Sequence, residues 1–314
     1  MTEDFPSTQP AGKTKCGFVA LAGAPNAGKS TLLNLIVGTK IAIVTPKVQT
    51  TRSRMSGIAI RGDAQVIFID TPGIFTAKRR LERAMVAAAW SGVADADVTV
   101  VLVDADRAAK SPARMDPDTA GIVEGLQRVK GRAVLALNKI DLVPRNLLLE
   151  LIKVHDASGV FDRIFMISAL NGDGVEDLVD FLVSNLRPGP WLYPDDQLSD
   201  VPMRVMAAEV TREQAFLQLH QELPYALTVE TDSWQERDDG SVRIDQTILI
   251  RRESQKGMVV GKGGTRIKSI GAASRLALEE LLGHKVHLFL HVKARSDWMD
   301  KPEHYREIGL DFKS

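Results

Sequence analysis

Apolar runs and amphipathic stretches alternate through the first 190 residues. Gly17-Phe18-Val19-Ala20-Leu21-Ala22 is a short apolar run ending in a Gly-rich turn, and Ser30 to Val37 follows with helical spacing. Gln65 to Ile69, Val98 to Val103, Ala133 to Leu137 and Ile164 to Ile167 read as further strands. The Val98 run is apolar and almost wholly β-branched, which predicts burial on both faces. Between these runs, Leu81 to Ser91, Asp118 to Val129 and Val175 to Leu186 carry helical periodicity. The alternation predicts an α/β domain with a mostly parallel sheet and helices on both faces.

Arg187-Pro188-Gly189-Pro190 breaks the pattern, and the polar stretch to Pro202 reads as a linker. After it a helix (about 206–222) precedes strands at 226–230 and 243–251. A Gly-rich turn, a helix at 265–282 and a strand at 286–292 complete a smaller α+β domain. The expected division is a disordered tail at 1–15, a first domain at 16–189, a linker at 190–203 and a second domain at 204–314.

Composition adds limits. A chain of 314 residues suits two domains. Lys+Arg and Asp+Glu both number 40, so only local charge can speak for a nucleic-acid partner. Cys16 is the only cysteine, which fits a reducing cytoplasm and a small buried hydrophobe. No apolar run reaches the roughly 18 residues of a spanning helix, and Met1 to Lys15 lacks the apolar core of a signal peptide.

Gly23-Ala24-Pro25-Asn26-Ala27-Gly28-Lys29-Ser30 fits G-x-x-x-x-G-K-[ST] between a strand and a helix, with Thr31 next. Such a loop wraps phosphates in backbone N–H groups, Lys29 supplies charge to the β- and γ-phosphates, and the Ser30 hydroxyl suits Mg²⁺. Asp70-Thr71-Pro72-Gly73 follows the second predicted strand, where Asp70 can reach the metal and the Gly73 N–H the γ-phosphate. Asn138-Lys139-Ile140-Asp141 follows the fourth. The Asp141 carboxylate can accept from guanine N1–H and its exocyclic amine, a pattern adenine lacks. Lys139 can lie along the base, and Asn138 can tie its loop to the phosphate loop. Ser168-Ala169-Leu170 offers a backbone N–H to the base oxygen. These segments fall at the carboxyl ends of successive strands, where one ligand would sit. GTP or GDP with Mg²⁺ is the expected ligand.

Lys29, Thr51, Asp70 and Gly73 are the expected catalytic set, with Ser30, Thr51 and Asp70 on the metal. Thr51 comes from Gln49-Thr50-Thr51-Arg52, the expected first switch, and Thr50 is the alternative. Ile74 stands where many such enzymes place a water-orienting Gln, so slow hydrolysis is expected. The Pro25-Asn26 loop resembles those of GTPases in which the Asn side chain helps hold K⁺ beside the phosphates, and that resemblance makes Asn26 a candidate for K⁺; a turn-capping role is the competing reading.

In the second domain, Gly261-Lys262-Gly263-Gly264 is a G-x-x-G loop opening a helix. Such loops clamp the backbone of about four nucleotides. Lys256, Lys262, Arg266, Lys268 and Arg275 lie between Ser254 and Leu278 with no acidic residue among them. Together with the three glycines they form the expected RNA surface. Phe289 is expected in the core, and Trp298 is a candidate for stacking on bases.

Taken together, the P-N-x-G-K-S-T-L-L-N loop, the Q-T-T-R, D-T-P-G, N-K-x-D and S-A motifs and the G-x-x-G domain following Pro224-Tyr225-Ala226-Leu227-Thr228-Val229-Glu230 resemble the Era family of bacterial GTPases. The likeness runs from about Cys16 to the C-terminus. It implies a type II KH fold for the second domain, binding to the 3′ end of 16S ribosomal RNA and a part in small-subunit assembly. It also implies peripheral contact to the inner membrane; a cytoplasmic monomer is the expected state. Ala24 stands where the family usually has Arg, and Lys262-Gly263 where Asn-Lys is more common.

Overall fold

The computed structural model describes residues 14–47, 50–52, 54–129, 132–220, 223–295, 302, 305 and 310–312. Most of the expected tail therefore lies outside the described residues, as do Gln49 and Trp298. Lys15, counted with the tail, is the first residue of a strand.

Strands β1 (Lys15–Gly23), β2 (Met55–Arg61), β3 (Ala64–Asp70), β4 (Val98–Asp104), β5 (Ala133–Asn138) and β6 (Ile164–Ile167) form one sheet in the order β2-β3-β1-β4-β5-β6. All neighbours are parallel except β2 and β3. Helices α1 (Lys29–Val37) and α6 (Val175–Asn185) cover one face. The other carries α2 (Arg80–Asp95), α3 (Ala105–Ala108), α4 (Pro117–Val129) and α5 (Arg145–Asp156). The sheet is covered on both faces, and β3 is buried along its whole length. The strand order reverses at β1, which puts the loop after it at the crevice where α/β sheets bind ligands.

Three first-domain elements escape the hydrophobic pattern: β2, α5 and the four-residue α3. Strand β2 is the sheet's antiparallel edge, joined to β3 by the short turn at Gly62-Asp63. Helix α5 buries only Leu148, Leu151 and His155, a stripe too narrow to stand out among polar residues.

The second domain comprises α7 (Met203–Gln218), β7 (Leu227–Glu236), β8 (Val242–Ile250), α8 (Lys256–Val260), α9 (Thr265–Leu282) and β9 (Val286–Ala294). Its sheet runs β7-β8-β9, with β7 antiparallel and β9 parallel to β8. The short α8 is the element the sequence pattern missed. Phe289 corrects the expectation of burial: it is 44% exposed, with the Arg243 guanidinium 4.6 Å from its ring centre. Its neighbours Leu288 and Leu290 take the inward positions, because successive strand residues face opposite ways.

The segment between the domains is held against the first. Gln65 donates to the Tyr193 carbonyl and accepts from the N–H groups of Leu192 and Tyr193, and Ser199 Oγ donates to Ser56 O.

Candidate functional site

The loop between β1 and α1 turns by left-handed backbone at Asn26 (φ 64°) and Gly28 (φ 98°). A side chain at Gly28 would put its Cβ 2.1 Å from Asn138 Nδ2, so only glycine permits the close approach of the two loops. That approach is hydrogen-bonded. Asn138 Nδ2 donates to Ala27 O at 2.8 Å, and Asn138 Oδ1 accepts from Ala169 N at 2.8 Å. One buried amide thus joins three of the sequence segments.

Lys29 lies at the centre of the loop, 6% exposed, donating to Gly23 O and Ala24 O. Burial pulls its ammonium below the ordinary lysine range, and nearby Asp70 opposes that. Asp70 closes β3. Its Oδ2 accepts from Ser30 Oγ at 2.6 Å and from Thr51 Oγ1 at 3.3 Å, and the two hydroxyls lie 3.0 Å apart. Burial pushes the Asp70 carboxyl above its usual range; Lys29 and the two hydroxyls pull the other way. Asp70 Oδ1 is buried without a hydrogen-bond partner among the described residues. Two hydroxyls and a carboxylate with an orphaned oxygen are the hard donors Mg²⁺ prefers, so the residues fit that ion. Thr50 is engaged elsewhere, 2.7 Å from both Thr45 Oγ1 and Lys47 O.

Asn26, Gly28, Lys29, Ser30 and Thr31 line a cavity of about 410 Å³ with Pro25, Thr50, Thr51, Gly73 and Lys139. Ile43, Val44, Thr45, Pro46, Phe75 and Asp104 also line it and were not foreseen. Ile43, Val44, Pro46 and Phe75 carry no phosphate or metal chemistry, and Thr45 and Asp104 belong to none of the motifs, so only position reveals them. Gly73 packs on Pro25, and Thr71 Oγ1 donates to Leu21 O, which holds Pro72 and its neighbours over the phosphate loop.

Several expected residues lie differently from the simplest picture. Ile74 donates its N–H to Gly23 O, while its side chain is buried in the core beneath α2. Its aliphatic group turns away from the cavity, so only its backbone could face a nucleotide. The Ser168 N–H goes to Asp173 O and that of Ala169 to Asn138, so two N–H groups of that trio are spent inside the fold. Asp141 is exposed on the turn Ile140–Leu142, and Leu170 is 77% exposed.

The G-x-x-G loop lies between α8 and α9. Gly261, Gly263 and Gly264 all have positive φ, of 74°, 62° and 77°. A Cβ at Gly261 would lie 2.9 Å from Arg266 N. The 18-residue helix α9 has no acid in its first turn, so its N-terminus favours anions. Lys262 and Lys268 are exposed. Arg266 donates to Met258 O at 2.7 Å, Lys256 is 3.3 Å from Glu253, and Arg275 is 2.9 Å from Glu279. Among the described residues the basic set therefore divides into two lysines without a side-chain partner and three tethered side chains.

Comparison with known proteins agrees with both halves. Residues 18–139 match the family model described as 50S ribosome-binding GTPase, and residues 222–299 match that of the KH domain. The chain is 55% identical to GTPase Era of Bradyrhizobium sp. over 303 residues, covering 96% of each. It is 53% identical to GTPase Era of Caulobacter vibrioides, covering 97% of this chain and 99% of that one. A crystal structure of a variant Era from Aquifex aeolicus bound to GDP·AlF₄⁻ superposes with a TM-score of 0.87 at 36% identity, covering 94% of this chain and 99% of that one. A structure of Era with MgGDPNP and nucleotides 1506–1542 of 16S ribosomal RNA matches with the same score, identity and coverage. A relative more than half identical along nearly the whole chain, with both domains matched in order, places this protein in the Era family of GTPases.

Proposed function

We propose that this GTPase is a switch that binds the 3′ end of 16S ribosomal RNA through its KH domain and assists assembly of the small ribosomal subunit. One observation carries the coupling: the residues on either side of Thr51 are both gripped by the KH domain. Arg212 of α7 donates to Thr50 O, and Arg52 donates to Leu227 O at 2.7 Å. A change at Thr51 therefore pulls on α7 and β7. The RNA assignment is supported by the G-x-x-G loop and by the related Era structure that holds a 16S fragment.

In the nucleotide site, backbone N–H groups from Gly23 to Thr31 surround the phosphates and Lys29 neutralises them. Ser30, Thr51 and Asp70 hold the magnesium of the bound nucleotide, which supplies charge neutralisation at the β- and γ-phosphates. Gly73 reports on the γ-phosphate. Asp141 selects guanine and Lys139 lies along its ring. Without a Gln after Gly73, unassisted turnover is on the order of 10⁻⁴ s⁻¹.

Potassium belongs to the same reading. Asn26 Nδ2 donates to Pro46 O of the switch segment at 3.0 Å, which leaves the amide oxygen as the group to face a cation beside the phosphates. Faster turnover in K⁺ than in Na⁺ at matched ionic strength is expected, and equal rates would remove this part. The chain acts as a cytoplasmic monomer with peripheral contact to the inner membrane, a proposal that rests on the family likeness. Among the described residues no helix is long and apolar enough to cross a membrane. Sedimentation with and without inner-membrane vesicles tests both points.

The deciding experiment measures affinity for a 3′-terminal 16S fragment with GDP and with a non-hydrolysable GTP analogue. Tighter binding with the analogue is expected. Equal affinities would sink the switch, since a ligand without preference shifts no equilibrium.

A further inference from the structure

Asp104 ends β4 one register step from the guanine-reading loop, because Asp104 pairs with Asn138 in the parallel β4–β5 ladder. Each of its carboxylate oxygens has a separate partner. Oδ1 accepts from Arg107 N at 3.1 Å and caps α3; Oδ2 accepts from Lys139 Nζ at 2.5 Å. Both Asp104 and Lys139 line the nucleotide cavity.

Lys139 is unusual in two respects. Its backbone is left-handed, with φ of 66°, at the start of the Ile140–Leu142 turn. Its side chain is long, and a free lysine loses rotamer entropy when fixed. An ammonium already held by Asp104 has given up much of that freedom before any ligand arrives, and preorganisation of this kind raises affinity. The anchor is itself braced. Arg107, in the helix that Asp104 caps, donates to Asp118 at 2.9 Å and Asp116 at 3.2 Å. The hydrogen bond to Asp118 raises the Arg107 pKa, so this brace stays charged. It ties α3 to the start of α4 and keeps the Asp104 backbone in place.

We infer that Asp104 is a positioning residue for guanine: it fixes the Lys139 ammonium so that the methylene stem lies flat against the base. This inference rests on the reading that Lys139 lies along the base. It assigns Asp104 a part in affinity through Lys139, without contact to the nucleotide.

The test is a double-mutant cycle in the full-length protein, with GDP affinity measured by titration calorimetry and stability by thermal unfolding. Asn caps a helix as well as Asp does, so Asp104→Asn keeps the α3 cap and removes the anionic acceptor that holds Lys139. The pair is partly exposed, at 33% and 18%, so the expected loss is modest: about fivefold in GDP affinity, with an unchanged melting temperature. Lys139→Met should weaken GDP more, and adding Asp104→Asn to it should cost nothing further. If Asp104→Asn binds GDP like the wild type while Lys139→Met does not, Asp104 is only a helix cap and the inference falls. Additive losses overturn it too. If Lys139→Met leaves GDP affinity intact, the reading of Lys139 fails first and takes the inference with it.

Discussion

Arg52 donates from Nη1 to the carbonyl of Leu227 at 2.7 Å, so the switch segment is hydrogen-bonded to the first residue of β7 in the KH domain. A second donor, Nη2, lies 3.3 Å from Pro224 O. Arg52 and Arg212 both approach the Phe216 ring, at 5.7 and 5.0 Å from its centre. Around them, Glu213 accepts from Val44 N and pairs with Lys40, and Lys47 donates to Phe216 O and Leu219 O. Burial, then the nearby charge of Arg212, pulls Arg52 down to about 9, with Glu209 opposing. Two like charges on one buried ring are tolerable only while the carbonyls and acids around them stay in register. The contact is therefore sensitive to small movements of Thr51.

Replacing Arg52 by Ala should weaken the link, leaving the Arg212 contact to Thr50 O, while keeping the P-loop intact. Allosteric couplings typically span about 5- to 150-fold. The ratio of RNA affinities with GTP analogue and GDP should shrink towards one in this variant. Fluorescence anisotropy with a labelled 16S 3′ fragment reads that ratio directly. A ratio equal to that of the wild type would show that the coupling runs elsewhere.

Asp70 offers a contrary effect on stability and function. Burial raises its pKa, so the folded chain holds the proton more tightly than the unfolded one. Its stabilising contribution is then present below the unfolded carboxylate range and is lost as pH rises through the folded value. Above that folded value the ionised carboxylate, with Oδ1 unpartnered, costs the nucleotide-free protein stability. Asp70→Asn should raise the melting temperature of the nucleotide-free protein by about 2–4 °C, for a relief of roughly 1 kcal/mol. The same variant should lose the extra stabilisation that Mg²⁺ gives to the GTP-bound form. A nucleotide-free Asp70→Asn that melts below the wild type would contradict the argument.

The sequence shows most of the nucleotide-binding half because its chemistry uses few residue types at fixed places. Gly28, Lys29, Ser30, Asp70 and Asn138 are recognisable from spacing and from the strand before each. Thr50 and Thr51 could not be separated that way, since both carry the same hydroxyl; three-dimensional position alone puts Thr51 beside Ser30 and leaves Thr50 against Thr45. Asp104 was invisible for a related reason. An Asp at a strand end is common, and only the β4–β5 register brings it to Lys139. Strand β2 and helices α3, α5 and α8 were missed where the apolar pattern is short or interrupted. Contacts between the domains left no trace, because Arg52, Arg212 and Glu213 look like ordinary surface charges until the fold buries them.

His155 sets an acid limit on the first domain. It is 1% exposed on α5, with Nδ1 2.7 Å from Leu151 O and Nε2 buried without a partner among the described residues. Burial holds its pKa below the ordinary value of 6.5, against the bond to Leu151 and the charge of Asp116. The unfolded chain thus binds the proton more readily. Stability is fully present above about pH 6.5 and declines as pH falls through the depressed folded value. Denaturant titrations between pH 7.5 and 5 should show that decline. His155→Leu, which cannot charge, should flatten it. An equal decline in both proteins would assign the acid sensitivity to other groups.

RNA affinity should depend on salt in part through two lysines. Lys262 and Lys268 are exposed around the α9 N-terminus, whereas the Arg275 guanidinium is already 2.9 Å from Glu279. A cation that neutralises a phosphate releases a counterion, and for single strands each one contributes about −0.7 to the slope of log K against log salt. Contact with three to five phosphates gives a slope of about −2 to −3.5. Lys262→Ala and Lys268→Ala should each make it shallower by about 0.7. Arg275→Ala should change it less, because Glu279 already balances that charge. The measurement is binding of a 3′-terminal 16S fragment across a salt series for the three variants. If Arg275→Ala alters the slope as much as Lys262→Ala does, the Arg275–Glu279 pair opens on binding, and the contact surface reaches beyond the first two turns of α9.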